Sequence, residues 1–331
     1  MARIQQLPDP LFPLDQETAH DIFAAIFDGA FDEESLVAFL SGMAERDETS
    51  DEIAGAAQAM RERMIRVAAP PGAIDVCGTG GDGAHSLNVS TAVAIVVAGA
   101  GVPVAKHGNR AASSKAGAAD TLEALGLDLD RASERAQDSL DDIGLCFMFA
   151  QKHHPALKPL GPIRKRIGRR TIFNLLGPIC NPAGVTRQLI GVARPDFLPT
   201  YAGALDRIGC EAAMLVAGDE PLDELSIGGP SSIFRLGAAG FGAERFTPEQ
   251  AGLPRHPIDA LHGGDAAYNA AALTRLLAGE AGAYRDAVLL NSAAALIVAG
   301  RAEAWETGIE MAAAAIDSGA ARALLAQWIA F

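Results

Sequence analysis

Basic residues are scarce in this chain. Its 27 lysines and arginines stand against 41 aspartates and glutamates, a formal net charge of −14. A mean field of that sign repels a phosphate backbone, so the composition argues against a nucleic-acid partner. Any phosphate ligand then needs a local positive site or a bridging metal. Cysteine is sparse as well. Cys77, Cys146, Cys180 and Cys210 are scattered, with no C-x-x-C pair, which reads as reduced thiols in a reducing compartment. Long apolar runs are missing. The longest, Ala92 to Ala105, holds glycines and a proline and is too short to span a bilayer. The first residues show no basic stretch followed by an apolar one. These absences set the expectation of a cytoplasmic protein with no membrane partner.

What remains is ordinary for a globular chain, with 49% apolar residues in 331. That length allows two domains, or one large α/β unit with a sizeable core. The count of 35 glycines is high, and many of them fall in loops rather than in a repeat, so tight turns and close backbone approaches are expected.

Residues 15–70 read as helices. Asp15 is placed to cap one that buries Ile22, Phe23, Ile26 and Phe27 and stops at Gly29. Asp32 is placed to cap a second, with Leu36, Val37, Phe39 and Leu40, ending near Gly42. Thr49-Ser50-Asp51-Glu52 is a capping box ahead of Ile53, Ala57, Met60, Met64 and Val67, which recur at helical spacing. Pro70-Pro71-Gly72 breaks the pattern. From residue 73 short strands alternate with helices: strands at Ala73–Cys77, Val102–Lys106, Leu189–Ala193, Ala213–Ala217 and Ser232–Arg235. Ser90 is the expected cap of an all-round apolar, hence buried, helix to about Ala100, and Ala116–Leu125 is the next helix. Helices dominate after Ala266. This alternation predicts an α/β fold with a mainly parallel sheet and flanking helices, plus a smaller helical domain. The expected division is residues 1–70, joined by helices near 160–185, against residues 71–331, with the active site in the cleft between them.

In such a sheet, ligands sit beyond the carboxyl ends of the strands. Two polar loops fall there. Asp75-Val76-Cys77-Gly78-Thr79-Gly80-Gly81-Asp82-Gly83 is a turn with four glycines, whose bare N–H groups suit phosphate. It formally matches G-x-G-x-x-G, but the helix that a dinucleotide fold opens at the third glycine starts only at Ser90. The second strand also ends in Lys106-His107 rather than an acid. The G-x-x-x-x-G-K-[ST] loop is absent too. Lys106-His107-Gly108-Asn109-Arg110, followed by Ser113-Ser114, adds cations at the next strand tip. A polyphosphate ligand follows.

At this point Gly78-Thr79-Gly80-Gly81-Asp82, Asn88-Val89-Ser90-Thr91 and Lys106-His107-Gly108-Asn109-Arg110 resemble the signature of the anthranilate phosphoribosyltransferase family. The resemblance continues through Ser113-Ser114, Ala119-Asp120, Leu122-Glu123-Ala124-Leu125-Gly126, Phe149-Ala150, His154-Pro155-Ala156 and Arg164. It goes on through Arg170-Thr171-Ile172-Phe173-Asn174-Leu175-Leu176-Gly177-Pro178 to Asn181-Pro182 and Asp223-Glu224. It implies a fold of the nucleoside phosphorylase/phosphoribosyltransferase type and a homodimer through the helical domain. It also implies the reaction: transfer of the phosphoribosyl group of phosphoribosyl pyrophosphate to the amine of anthranilate, in tryptophan biosynthesis. The residues it assigns to phosphoribosyl pyrophosphate are Gly78, Gly81, Asp82, Ser86, Asn88, Val89, Ser90, Thr91, Lys106, His107, Gly108, Asn109, Arg110, Ala111, Ala112, Ser113, Ser114 and Ala118. Gly78, Asn109 and Arg164 are implied for anthranilate. Ser90, Asp223 and Glu224 are implied to hold magnesium, as two ions. Ser86 stands where the family has threonine, keeping the hydroxyl. Ala118 stands where serine is usual, removing one phosphate hydrogen bond. The segment Lys158-Pro159-Leu160-Gly161 is less typical of the pattern. No catalytic base is assigned; His107 is the candidate to take a proton late in the reaction, with positioning as its alternative. Rival readings are a pyrimidine nucleoside phosphorylase, which shares the fold, and a nucleic-acid-binding relative. The second would carry a basic surface and a damaged acidic pair.

Overall fold

The helical start forms where its caps place it. In α1 (Gln16–Phe27), Asp15 Oδ1 accepts from the Thr18 N–H at 2.7 Å. In α2 (Glu33–Glu45), Asp32 Oδ1 accepts from the Ser35 N–H at 2.9 Å. α2 runs past Gly42 because that glycine is a packing position rather than a stop: a Cβ there would lie 2.5 Å from Pro10 Cγ. α3 (Ser50–Arg61) begins at the expected capping box, with Glu52 Oε2 accepting from the Thr49 N–H at 2.9 Å. Glu52 is fully buried and also holds Arg46 and the Leu14 N–H, tying the entry of the chain to α3. The helix ends at Arg61, so Met64 and Val67 lie beyond it.

The structure, a computed structural model, describes residues 6–111, 115–220 and 222–331. Seven strands form one sheet in the order β3-β2-β1-β4-β5-β6-β7. They are β1 (Ile74–Gly78), β2 (Val104–Gly108), β3 (Leu145–Phe149), β4 (Arg187–Gly191), β5 (Ala212–Gly218), β6 (Ser231–Gly237) and β7 (Gly242–Phe246). The first five are parallel, and β6 and β7 are antiparallel additions at one edge. α4 (Val89–Gly99), α5 (Ala118–Ala124), α6 (Leu129–Glu134), α7 (Ala136–Ile143) and α8 (Ala150–His153) fall among the first strands. α9 (Gly161–Ile167), α10 (Ile172–Ile179) and α11 (Leu198–Arg207) follow. The chain closes with α12 (Ala266–Leu277), α13 (Ala283–Val298), α14 (Trp305–Asp317) and α15 (Ala320–Ala330). β3 and β7 were not expected from sequence. β3 is five consecutive buried residues with no alternation, and β7 is an exposed edge of only five.

Alternate strand residues face opposite cores, as the pleat requires. Val76, Met214 and Val216 join α4 and α12–α15 in one core. Cys77, Ile190, Ala213, Leu215 and Ala217 join α1–α3 and α9–α11 in the other. The α1–α3 stripes therefore pack on α9–α11, and through them on the sheet.

Candidate active site

The site grows from two glycines paired across β1 and β4. Gly78 and Gly191 are register partners, and both face the 222–224 segment. A Cβ on Gly78 would fall 2.2 Å from Asp223 Oδ2, and one on Gly191 only 1.5 Å from the Asp223 carbonyl oxygen. The two missing side chains are the seat of Asp223. Beyond β1, Gly80, Gly81 and Gly83 turn the chain at φ of 66°, 77° and 75°, a region that favours glycine. The Gly80 N–H donates to Asp223 Oδ2 at 2.7 Å, and the Asp223 N–H donates to Asp82 Oδ2 at 3.3 Å. The N–H groups of Gly81, Asp82 and Gly83 make no hydrogen bond among the described residues, leaving an anion cradle.

Glu224 reaches the other end of this loop. Its Oε1 accepts from the Ser90 N–H at 3.1 Å, in the first turn of α4. The two neighbouring acids serve one site because the chain reverses just before them: the Gly218 N–H donates to the Leu222 carbonyl at 2.9 Å. Pro221 lies outside the described residues. Both carboxyls are pushed up. Burial raises Asp223 to about 7, with Asp82 adding repulsion. Burial and then Asp223 raise Glu224, against the partial offset of Lys106. Crowded, under-neutralised carboxyls fit a divalent cation. Among the described residues no three His, Cys, Asp or Glu side chains group to hold an ion alone. A magnesium bound through one or two carboxylates and substrate phosphates matches that donor set. Asp219 pairs with Arg245, and Glu220 is half-buried with Oε2 unpartnered among the described residues.

Several expected contacts stand otherwise in the structure. Ser90 is not the cap of α4; Asn88 is, without a side-chain cap bond. Asn88 Oδ1 instead accepts from Thr121 Oγ1 at 2.5 Å and Asn269 Nδ2 at 2.9 Å, joining α4, α5 and α12. Lys106 does not emerge at a strand tip. It is the third residue of β2, 2% exposed, and its Nζ donates to the Val76 carbonyl at 2.8 Å. Both ring nitrogens of His107 are engaged. Its Nδ1 meets the Gly177 carbonyl at 2.9 Å and its Nε2 meets His154 Nε2 at 3.2 Å. Burial, then His154, lowers it to about 3, and its contacts link β2 to α10, which favours the positioning alternative. Arg110 is committed to Glu123 and Asp120 over the Phe149 ring. Asp120 Oδ2 also accepts from Ala111 and Gly117 N–H groups at 3.0 and 2.9 Å, closing the base of the 111–117 loop.

Asn109 and Gly81 are exposed, Ser86 is half-buried and Val89 is buried. Thr91 Oγ1 is buried without a partner among the described residues. Ala118 opens α5 beside Gly108, where a Cβ would stand 3.4 Å from the Ala118 methyl. Ala112, Ser113 and Ser114 lie outside the described residues. On the helical side, Arg164 is half-buried on α9 with only the Phe173 ring beneath it, 5.9 Å from the centroid. Burial lowers its pKa, and among the described residues no carboxylate pairs with it.

Two family models cover the chain. One describes the helical bundle domain of a glycosyl transferase family, over residues 4–64, and the other that family's a/b domain, over residues 70–322. The anthranilate phosphoribosyltransferase of Novosphingobium aromaticivorans is 59% identical over 98% of both chains. That of Sphingopyxis alaskensis is 58% identical over 100% of both. Among solved structures, the anthranilate phosphoribosyltransferase of Thermus thermophilus matches with a TM-score of 0.92 at 40% identity, covering 98% of this chain and 99% of that one. The Saccharomyces cerevisiae enzyme, solved with PRPP (phosphoribosyl pyrophosphate) and Mg, matches with a TM-score of 0.87 at 27% identity, covering 96% and 93%. A helical bundle and an α/β domain of this pattern, with a glycine cradle beside paired acids, define a glycosyltransferase. The chain belongs to the anthranilate phosphoribosyltransferase family.

Proposed function

We infer that this protein transfers the phosphoribosyl group of phosphoribosyl pyrophosphate to the amine of anthranilate, releasing pyrophosphate, as a step of tryptophan biosynthesis. The observation that carries the reading is the meeting of a glycine cradle with two under-neutralised carboxyls, Glu224 buried and Asp223 half-buried, at the carboxyl ends of β1 and β4. The ribose C1–O bond breaks and its electron pair passes to the departing pyrophosphate. The amine nitrogen forms the new C1–N bond and releases one proton to solvent. The chain's task is then to stabilise departing charge and to position the amine. Free N–H groups of Gly81, Asp82 and Gly83 serve the first. When bound, magnesium neutralises the phosphates; Asp223, Glu224 and Ser90 are its proposed holders, as two ions. An arylamine is already neutral at pH 7, so a buried, neutral His107 is compatible with the reaction.

Arg164 is the proposed fork for anthranilate's carboxylate, supported by its lack of an internal partner. Arg164→Ala is expected to weaken use of the aromatic acid by about 2–5 kcal/mol, mostly in the Michaelis constant for anthranilate. Steady-state kinetics with each substrate varied decides it, and an unchanged Michaelis constant and turnover for anthranilate would sink the assignment.

The remaining expected contacts to phosphoribosyl pyrophosphate, Gly78 through Ala118, are proposed on the same family grounds. We further propose two lobes, residues 1–70 with helices near 160–185 and the rest, bordering the site. A homodimer is proposed too, on the same family grounds, although the apolar stripes of α1 and α2 are covered within the chain. Ile22, Phe23, Phe39 and Leu40 are all buried, while Leu11, Phe12 and Ile65 stay exposed. Light scattering is expected to give twice the 34.2 kDa chain mass; a clean monomer at micromolar concentration contradicts it. A cytoplasmic location is supported by four free cysteines. Among the described residues no helix is long and apolar enough to cross a membrane.

A further inference from the structure

The arginines of this chain are almost all committed. Arg166 pairs with Glu33, Arg169 with Glu45, and Arg194 with Asp47 and Asp196. Among the described residues, only the side chains of Arg164, Arg170 and Arg322 make neither a hydrogen bond nor an ion pair, and Arg322 is exposed on α15. Arg164 already has a proposed ligand. Arg170 does not.

Arg170 precedes Thr171, the cap of α10, and its side chain lies over the glycine loop. A Cβ on Gly81 would stand 3.9 Å from Arg170 Cδ and 4.0 Å from its Nε. Asp223 is the strongest acid acting on its charge, followed by Glu48 and Asp82. The same side chain borders a pocket of about 70 Å³, lined also by Glu48, Thr171, Val192 and Arg194. Two groups in that wall are more than nine-tenths buried and unsatisfied: Glu48 Oε1 and Thr171 Oγ1. A guanidinium kept for structure would pair with Glu48, because a buried carboxylate and a half-buried cation without partners each carry a large desolvation cost. They do not bond. The Arg170 Cδ and Nε instead lie beside Gly81 of the cradle, at the N-terminal end of an eight-residue helix.

We propose that Arg170 is a substrate-binding residue for the diphosphate: its planar fork takes oxygens of the departing pyrophosphate from the helical side, opposite the glycine cradle. The proposal rests on the reaction inferred above. A guanidinium offers several donors in one plane and suits a group bearing many equivalent oxygens. Thr171 Oγ1 is the neighbouring hydroxyl donor for the same group. Glu48 sets the limit of the site, since an anion cannot advance past a buried carboxylate.

The test compares Arg170→Ala and Arg170→Lys with wild type in steady-state kinetics, varying each substrate, and in product inhibition by inorganic pyrophosphate with magnesium. Arg170→Ala is expected to lower kcat/KM for phosphoribosyl pyrophosphate by about 10- to 100-fold and to weaken pyrophosphate inhibition alike, the change that follows loss of charge-assisted bonds. The Michaelis constant for anthranilate is expected to stay put, the reverse of Arg164→Ala. Arg170→Lys keeps stem and charge but not the fork, and is expected to lose part of the same quantity even if the alanine variant folds poorly. Added guanidinium ion is expected to restore activity to Arg170→Ala. Unchanged phosphoribosyl pyrophosphate kinetics and pyrophosphate inhibition in both variants, or equal losses on both substrates with no rescue, overturn the proposal while leaving the reaction intact. A wild-type protein that releases no pyrophosphate overturns the reaction itself.

Discussion

Replacing Asp223 with asparagine and Glu224 with glutamine together is expected to abolish magnesium-dependent turnover in a chain that still folds. The two carboxyls sit at the glycine loop and at the first turn of α4, each accepting a backbone N–H that an amide oxygen can also accept. The fold therefore keeps its hydrogen bonds while the cation loses its charged ligands. Stability supplies a second readout. Asp223 titrates near 7 in the folded chain against an ordinary 3.8. Between those values the folded state holds a proton that the unfolded state has released, so this group's contribution to stability falls as pH rises through that window. The amide variant lacks the effect. Without magnesium, its melting temperature is expected to drop less than wild type's between about pH 4 and 7. Turnover against magnesium concentration, with thermal melts at each pH, checks both parts. Wild-type activity with the same magnesium dependence would place the metal elsewhere.

Gly191→Ala is expected to do comparable damage from a residue that carries no functional group. Its added Cβ would lie 1.5 Å from the Asp223 carbonyl oxygen, far inside any real contact, and the obstacle is backbone rather than a side chain that can swing away. Either β4 or the 222–224 segment has to shift. Overpacking of this kind costs about 1–3 kcal/mol or more. A displacement of about 1 Å at the acids is worth roughly a hundredfold in turnover. Melting temperature and kcat measured on the same preparation test it. A variant with wild-type turnover would show that Asp223 does not need its present seat.

Much of this was readable before any coordinates. Asp15, Asp32 and Thr49 mark three helix starts because capping is chemistry local to four residues. The parallel strands show as short apolar segments spaced by helices. The glycine loop and the Asp223-Glu224 pair show as residue types that a core does not need. What the sequence hid was three-dimensional. β3 is apolar throughout, so its pattern does not separate strand from helix, and β7 is a short edge. Gly42 looks like a helix stop but is a contact with Pro10. Lys106 looks like an exposed strand tip and His107 like a loop residue, yet both are buried in β2, where Val76, Gly177 and His154 hold them. Gly191 carries no local signal at all, and Arg170 shows only as the first residue of a motif, with no role attached. One matters for what it leaves room for, the other for the partner it lacks.

The most direct measurement is pyrophosphate release from phosphoribosyl pyrophosphate with magnesium, with and without anthranilate. Release that depends on anthranilate, matches its consumption one for one and stops when magnesium is chelated is the expected result. Release indifferent to anthranilate, or none with both substrates and magnesium present, would contradict the assignment of this site.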